Sequence, residues 1–217
     1  FIYPMLYANY LEFIHFKESY NNDIQFKYTY QDKSGIITVE ENKDGDIVYG
    51  GGAYDGRMNI GPDNNANGID RAYMIAALHP NPKKVLMIGL STGSWAKVLT
   101  DYDKIKELSI VEINSKYLDL IKEYPENASI FKEQGVDVFI DDGRRWLKRN
   151  PDQKFDMIVM NTTHHFREHI TNLLSIDFLQ TCKNSLNQGG VMYWNTTQSN
   201  DIVFTAAHAF QYVTKYS

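Results

Sequence analysis

The chain has 217 residues, enough for one large domain or for a domain with a small addition. A hydrophobic content of 43% supports a packed core, and a net charge of −5 without a visible basic stripe argues against a nucleic-acid partner. The single cysteine, Cys182, excludes a disulfide framework and a zinc site built from cysteines. We therefore expect a reducing, cytoplasmic location and interpret Cys182 as a buried apolar residue on a helix.

The first sixty residues predict a small antiparallel β module. Residues 1–16 are apolar and aromatic but too short to span a bilayer, so they indicate either a packed peripheral element or the end of an upstream membrane segment. Alternation over 23–30 and the run 35–40 each predict a strand, Asp44-Gly45 predicts a hairpin turn, and 47–49 predicts the returning strand. Tyr54-Asp55-Gly56 is interpreted as a turn. We assign 1–60 to this module and 61–217 to a second domain.

The second domain begins with a polar loop and continues as alternating strands and helices. Asp70 or a neighbouring residue is placed to cap a helix over 71–78. Strands are predicted at 85–88, 108–113, 136–140, 155–160 and 190–195, and helices at 94–101, 115–123, 143–149, 171–186 and 200–211. This alternation predicts an α/β fold with a five-stranded parallel sheet and helices on both of its faces.

A glycine turn, Gly89-Leu90-Ser91-Thr92-Gly93-Ser94, follows the first of these strands and precedes a helix. Such a turn brings a ligand against backbone N–H groups at a helix N-terminus, although glycines also serve plain tight turns. The G-x-x-x-G spacing lacks one glycine of the dinucleotide fingerprint, which favours a smaller nucleoside over NAD. Glu112 ends the next strand, where a carboxylate can accept both hydroxyls of a ribose.

Polar residues follow all five predicted strands, at 89–94, 112–114, 141–143, 161–165 and 195–197. The carboxyl ends of parallel strands meet at one edge of a sheet, which is where open α/β sheets bind their ligands. The sequence therefore predicts a nucleoside site at that edge.

These motifs resemble the spermidine synthase family, the polyamine aminopropyltransferases, which have the class I S-adenosylmethionine-dependent transferase (Rossmann-like) fold. The likeness covers about residues 20–211 and is carried by HPNPKKVLMIG (79–89), VEI (111–113), IDDGRRWL (140–147), FDMIV (155–159) and LNQGGV (186–191). It is strongest for a branch in which this domain follows a membrane-spanning region. The family fold continues with two further strands after the last helix, so we expect the sheet here to lack them.

The resemblance implies a cofactor, either S-adenosylmethionine or its decarboxylated form, with methylthioadenosine as the product of aminopropyl transfer. It implies that Glu112 holds the ribose hydroxyls, that Asp142 accepts from the adenine amino group, and that the turn packs against the methionine-derived chain. The predicted cofactor-binding set is Gly89, Ser91, Gly93, Glu112, Asn114, Asp142 and Gly143. The expected acceptor is a small molecule, with an amine as one candidate, and we expect a homo-oligomer.

The acceptor side departs from the family pattern. Thr92 stands where the family has an aspartate, and 161–165, Asn-Thr-Thr-His-His, replace an aspartate, two small residues, a second aspartate and a proline. In the family those aspartates bind and deprotonate a diamine, and their loss removes negative charge that a dication needs. Arg71 would repel a diamine and suit a carboxylate. Putrescine is therefore not the expected acceptor.

Five further residues complete the candidate site. His164 is the candidate base, with helix capping or anion binding as its alternative, and Asn161 orients the acceptor or satisfies strand-end backbone groups. Thr92 and Arg71 are candidate substrate contacts, and Asp55 is a third that would replace the missing carboxylates. We predict no metal site.

Three functions remain open from the sequence. The first is a spermidine synthase-like transferase with an altered acceptor site. The second is an S-adenosylmethionine-dependent methyltransferase on the same scaffold, in which Arg71 holds the carboxylate of the cofactor. The third is a non-catalytic module that senses a nucleoside for an attached membrane domain.

Overall fold

A computed structural model gives the fold of the protein and describes residues 9–21, 23–161, 170–195 and 199–216. The strands are β1 Tyr28–Asp32, β2 Gly35–Glu40, β3 Ile47–Gly50, β4 Ala53–Arg57, β5 Lys84–Ile88, β6 Glu107–Glu112, β7 Val136–Ile140, β8 Phe155–Met160 and β9 Leu186–Trp194. The helices are α1 Tyr10–Phe16, α2 Asp70–Tyr73, α3 Ile75–Leu78, α4 Ser94–Thr100, α5 Lys116–Lys122, α6 Pro125–Ala128, α7 Gly143–Arg149, α8 Ile170–Leu173, α9 Ile176–Asn184 and α10 Asn200–Ala209. None of the helices in these described ranges is long and apolar enough to cross a membrane.

The larger sheet is parallel, with the strand order β7-β6-β5-β8-β9. Successive side chains of a strand point to opposite faces, so β5 supplies Val85 and Met87 to one buried cluster and Leu86 and Ile88 to another. Both clusters are closed by helices, which is why β5 has an almost continuous apolar sequence. The predicted α/β class and five-stranded parallel sheet are confirmed.

The smaller sheet is antiparallel, with the order β1-β2-β3-β4. Ile37 and Val39 of β2 and Val48 of β3 are buried together with Tyr117 and Leu120 of α5. The small sheet therefore packs its apolar face onto the first helix after Glu112. This contact fixes the small sheet beside the carboxyl edge of the large one.

Two predictions in the N-terminal region were wrong. Tyr54-Asp55-Gly56 is not a turn but part of β4, which pairs with β3 after a tight Gly51-Gly52 turn with both φ angles positive. The first strand begins at Tyr28 rather than at residue 23, and the Phe26 N–H donates to the side chain of Glu12, at 3.1 Å, instead of to a neighbouring strand.

Further along the chain, Asp70 does not cap a helix through its side chain. It is the first residue of α2, and its N–H donates to Asn65 Oδ1 at 3.1 Å. The predicted helix 171–186 is instead α8 and α9, separated by Ser175, whose hydroxyl accepts the Phe178 N–H and so begins α9. Cys182 is fully buried on α9, as predicted.

Asp46 connects the small sheet to the large domain. Its carboxylate accepts from Lys27 Nζ at 2.7 Å, from the Tyr124 hydroxyl at 2.6 Å and from the Asn42 N–H at 3.0 Å. Burial alone would raise the pKa of Asp46, but the hydrogen bonds from Lys27 and Tyr124 outweigh it and lower the pKa below its ordinary value.

We expect Asp46→Asn to lower the free energy of unfolding by about 1–2 kcal/mol at neutral pH, because two charge-assisted hydrogen bonds lose their charge. Lys27 is partly open to water, which limits the effect. A group with a lowered pKa stabilises the fold above its unfolded pKa of about 4, and the contribution is lost as the pH falls through the folded value. Urea unfolding at pH 7 and at acid pH measures the difference in the free energy of unfolding between the wild type and Asp46→Asn. Asp44→Asn in the same turn is the control. A difference between the variant and the wild type that persists unchanged in acid would contradict this assignment.

Candidate functional site

The glycine turn has a backbone that ordinary residues rarely adopt. Gly89 has φ of +86° and Gly93 has φ of +75°, and a side chain at Gly93 would lie 3.1 Å from the Cδ1 atom of Ile121. Ser91 is also left-handed, with φ of +49°, although it carries a side chain. Such conformations cost free energy and persist only where surrounding contacts hold them. They occur often at ligand sites.

The small sheet holds this turn in place through β4. The Ser91 hydroxyl donates to the backbone oxygen of Asp55 at 2.8 Å, and the Ser94 hydroxyl donates to that of Arg57 at 2.9 Å. Between them, Gly56 approaches Thr92 so closely that a Cβ atom would lie 3.2 Å from Thr92 Cγ2. This clamp was not predicted, because the β4 segment has the residues of a common turn.

Glu112 lies at the centre of the edge, with only 5% of its surface exposed. Its Oε2 accepts the Leu90 N–H at 2.7 Å and the Ser91 N–H at 3.4 Å, and its Oε1 accepts the Asn114 N–H at 2.8 Å. Burial raises the pKa of Glu112, the backbone donors oppose the shift, and the charge of nearby Asp55 adds to it. The same carboxylate thus joins the glycine turn to the end of β6.

Asp55 itself is buried, and the Tyr117 hydroxyl of α5 donates to its carboxylate. The acid therefore belongs to the small sheet but contacts the helix that follows Glu112. Whether it also contacts a substrate stays a prediction.

Asp142 and Gly143 lie at the end of the neighbouring strand. Asp142 caps α7 by accepting the Arg145 N–H at 2.9 Å, and the preceding Asp141 N–H donates to the backbone oxygen of Glu112 at 3.0 Å. A Cβ atom at Gly143 would lie 2.8 Å from Ile88 Cγ2, so only glycine fits against the end of β5. The two acids predicted to hold a nucleoside, Glu112 and Asp142, thus end adjacent strands.

Two apolar residues at these strand ends were not singled out from the sequence. Ile113 is 52% exposed directly after Glu112, and Ile140, the register partner of Glu112 on β7, is 46% exposed. Exposed isoleucines beside strand-end acids offer the apolar surface that a flat aromatic ring needs. The available signal was an apolar residue next to each acid, in VEI and in IDD.

The other predicted residues surround the turn. The Asn114 side chain accepts the Lys116 N–H, the first of α5, at 2.9 Å, and the Thr92 hydroxyl donates to Ser94 Oγ at 3.0 Å. The Asn161 N–H donates to the backbone oxygen of Ile88 at 3.3 Å, which brings the end of β8 beside Gly89. His164 lies outside the described residues, so its role stays a prediction.

Arg71 lies on the β9 side of the turn. Its guanidinium is 5.6 Å from the ring centre of Trp95, and that ring stacks on Tyr193 of β9 with centres 5.9 Å apart. The structure thus brings Arg71 to the carboxyl edge of the sheet, on the side of β9. Asp142 follows β7, which is the strand at the other side of the sheet.

Comparisons with known proteins find relatives by sequence. A family model of the spermine/spermidine synthase domain matches residues 72–217. A polyamine aminopropyltransferase from Streptococcus uberis is 37% identical over 119 residues, which are 54% of this chain and 41% of that protein. One from Clostridium botulinum is 27% identical over 186 residues, 82% of this chain and 64% of that protein. The chain spans about two fifths of the length of the first of these relatives and less than two thirds of the second.

Two solved structures share the fold. A spermidine synthase in complex with the transition state analogue AdoDATO superposes with a TM-score of 0.71, at 21% identity, over 87% of this chain and 66% of that one. The spermidine synthase from Thermotoga maritima gives a TM-score of 0.69, at 22% identity, over 87% of this chain and 65% of that one. Both confirm the fold class that the sequence predicts.

Proposed function

Since this chain belongs to the spermine/spermidine synthase family, we propose that it is a transferase that binds decarboxylated S-adenosylmethionine or S-adenosylmethionine across the carboxyl edge of its parallel sheet. The observation that carries the proposal is Glu112, a buried carboxylate that three backbone N–H groups hold beside the glycine turn. Burying a charge without a ligand is unfavourable, and a ribose that donates two hydroxyls would offset that cost.

We assign the remaining contacts by position. Asp142 uses one oxygen to cap α7, which leaves the other to accept from the adenine amino group. Ile113 and Ile140 cover the faces of the base, and Gly89, Ser91 and Gly93 pack against the chain that carries the sulfur. Asn114 and Gly143 shape the walls beside the two acids. The binding of AdoDATO by the spermidine synthase described above supports a decarboxylated cofactor in this fold.

The cofactor supplies a carbon bonded to a positively charged sulfur, which leaves as a neutral thioether when a nucleophile attacks that carbon. The protein therefore has to hold the acceptor in line and remove one proton from its nitrogen after the new bond forms. We propose Asn161 for orientation and His164 for the proton, because the imidazole titrates near neutral pH. Thr92 and Asp55 are the further contacts that we propose on the acceptor side.

A methyltransferase is the second candidate, and Arg71 favours it. Its guanidinium lies on the acceptor side of the turn, where it suits the carboxylate that S-adenosylmethionine has and the decarboxylated form lacks. The two functions thus differ in which cofactor binds more tightly and in which carbon beside the sulfur is attacked.

Calorimetry with both cofactor forms and with methylthioadenosine tests the proposal. We expect all three to bind, with dissociation constants that differ according to the cofactor the site prefers. Mass spectrometry of an amine panel then shows either a propylamine or a methyl addition. Failure of all three nucleosides to bind would overturn the proposed function, and rapid aminopropylation of putrescine would contradict the altered acceptor site.

A further inference from the structure

The Arg71 side chain is held in one orientation by the loop before it. Its Nε donates to the backbone oxygen of Gly68 at 2.9 Å, and its Nη2 donates to that of Asn67 at 2.9 Å. Gly68 is left-handed, with φ of +64°, and a Cβ atom there would lie 2.9 Å from Arg71 Nε. The loop is therefore shaped around the guanidinium, and the rotamer entropy of the side chain is already lost before any ligand binds.

The hydrogen bonds to Gly68 and Asn67 use the edge of the guanidinium that carries Nε and one N–H of Nη2. The edge between Nη1 and Nη2 stays available to a ligand. Arginine has five N–H donors in a planar fork, and the end-on pair from Nη1 and Nη2 can still bind two oxygens at once. Within the described ranges, no carboxylate forms an ion pair with the Arg71 guanidinium, although Asp70 precedes it and accepts the Arg71 backbone N–H at 2.9 Å. A fixed, partly buried guanidinium without a charged partner is a site prepared for an anion.

Two phenols share the surroundings of this cation. Tyr54 of β4 and Tyr193 of β9 are both partly buried, and burial raises the pKa of each. For Tyr54 the charge and hydrogen bond of Arg57 oppose this shift most and the charge of Arg71 adds to them, whereas for Tyr193 Arg71 is the opposing charge. Both hydroxyls therefore remain protonated at neutral pH and can donate hydrogen bonds. Tyr54 precedes Asp55, whose backbone holds the glycine turn, so the group lies next to the place where the sulfur-bearing chain is proposed to lie.

We infer that Arg71, with Tyr54 and Tyr193, forms a receptor for a carboxylate at the acceptor end of the cleft. The shared ligand chemistry is one carboxylate, supplied either by S-adenosylmethionine itself or by an acceptor that carries both an amine and a carboxylate. The inference rests on the proposed nucleoside site for its place in the cleft, but its charge argument depends on Arg71, with Arg57 as a second cation beside Tyr54. The receptor would thus bind an anionic group at the position that the second ammonium of a diamine would occupy.

The test compares ligands that carry the carboxylate with ligands that lack it. S-adenosylmethionine is paired with its decarboxylated form, and 4-aminobutyrate is paired with 1,4-diaminobutane, with binding followed by calorimetry and by the fluorescence of Trp95. Arg71→Gln should weaken the carboxylate member of one pair about tenfold and leave the affinity for decarboxylated S-adenosylmethionine unchanged. The variant removes a charge that repels a second ammonium, so 1,4-diaminobutane should bind no more weakly than to the wild type. Lys122→Gln removes the same charge from an exposed position on α5 and should change neither pair. Trp95→Phe identifies which part of the fluorescence change comes from the stacked ring.

The two sources of the carboxylate give different results. If Arg71→Gln lowers the affinity for S-adenosylmethionine alone, the receptor binds the cofactor. If it lowers the affinity for 4-aminobutyrate alone, the receptor binds the acceptor. Tyr193→Phe keeps the stacked ring and removes only the hydroxyl, so it should cause a smaller loss of affinity for the same carboxylate ligand. This variant keeps the inference testable if Arg71→Gln melts at a lower temperature than the wild type.

If neither carboxylate ligand responds to Arg71→Gln, the receptor is overturned. If methylthioadenosine fails to bind the wild type, the nucleoside proposal falls. In that case the titration with 4-aminobutyrate alone decides the inference, and an absent or Arg71-independent response overturns it.

Discussion

Glu112→Gln is expected to weaken the binding of methylthioadenosine about a hundredfold, because a neutral amide replaces the charged acceptor of two ribose hydroxyls. The amide keeps the shape of the side chain, so the packing between β6 and the glycine turn should persist. Calorimetry gives the affinity, and the melting temperature without ligand is measured beside it, so that a lost fold is not taken for a lost contact.

Glu107→Gln is the matched control for this experiment. Glu107 begins the same strand, β6, at the opposite edge of the sheet, where its side chain is exposed and pairs with Lys84 at 3.2 Å. An exposed ion pair contributes little, so this variant should bind methylthioadenosine as the wild type does. Equal affinities of the two variants would show that the nucleoside is not held at the carboxyl end of β6.

The pH dependence gives a second readout of Glu112. Burial raises its pKa, so the carboxylate takes up a proton at a higher pH than an exposed glutamate does. The ionised form accepts from the ribose, and nucleoside affinity should therefore fall as the pH is lowered through this raised value. The same dependence should be absent in Glu112→Gln, in which no group at this position titrates.

Asp156→Ala is expected to lower the free energy of unfolding by about 2–3 kcal/mol. One oxygen of Asp156 accepts the N–H groups of Lys83 and Lys84 at 2.9 and 3.0 Å, and the other accepts from Asn187 Nδ2 at 2.8 Å. These bonds join the beginnings of β5, β8 and β9, and alanine leaves all three donors without their acceptor. Denaturant unfolding measures the change.

The effect of Asp156 should also depend on pH. Burial would raise its pKa, but the bonds from Asn187, Lys84 and Lys83 outweigh burial and lower it. A lowered pKa means that the stabilisation is present at neutral pH and is lost as the pH falls below about 4 and through the folded value. Asp152→Ala, in the exposed loop before β8, is the control and should unfold as the wild type does. A similar loss in both variants would show that the contacts of Asp156 do not contribute.

The parallel sheet and the positions of Glu112 and Asp142 at its strand ends were predictable because their signals are local. A run of strand formers, a glycine turn and a helix lie within one short segment, 84–100, and Glu112 and Asp142 each follow an apolar strand. Periodicity identified the strands, and parallel strands bring their ends to one edge whatever the rest of the chain does. The β4 strand escaped because Asp-Gly is a common turn pair, and only its pairing with β3 makes it a strand.

The amino-acid sequence by itself determined the fold class, the order of strands and helices in the large domain, and the acids at the strand ends. Only the tertiary structure decided that β4 clamps the glycine turn, that Arg71 lies on Trp95 beside Tyr193, and that Asp156 ties three strands together. The physical reason is that each of these contacts joins residues far apart in the chain. Local periodicity and turn chemistry carry no information about such partners until the packing of the two sheets brings them within bonding distance.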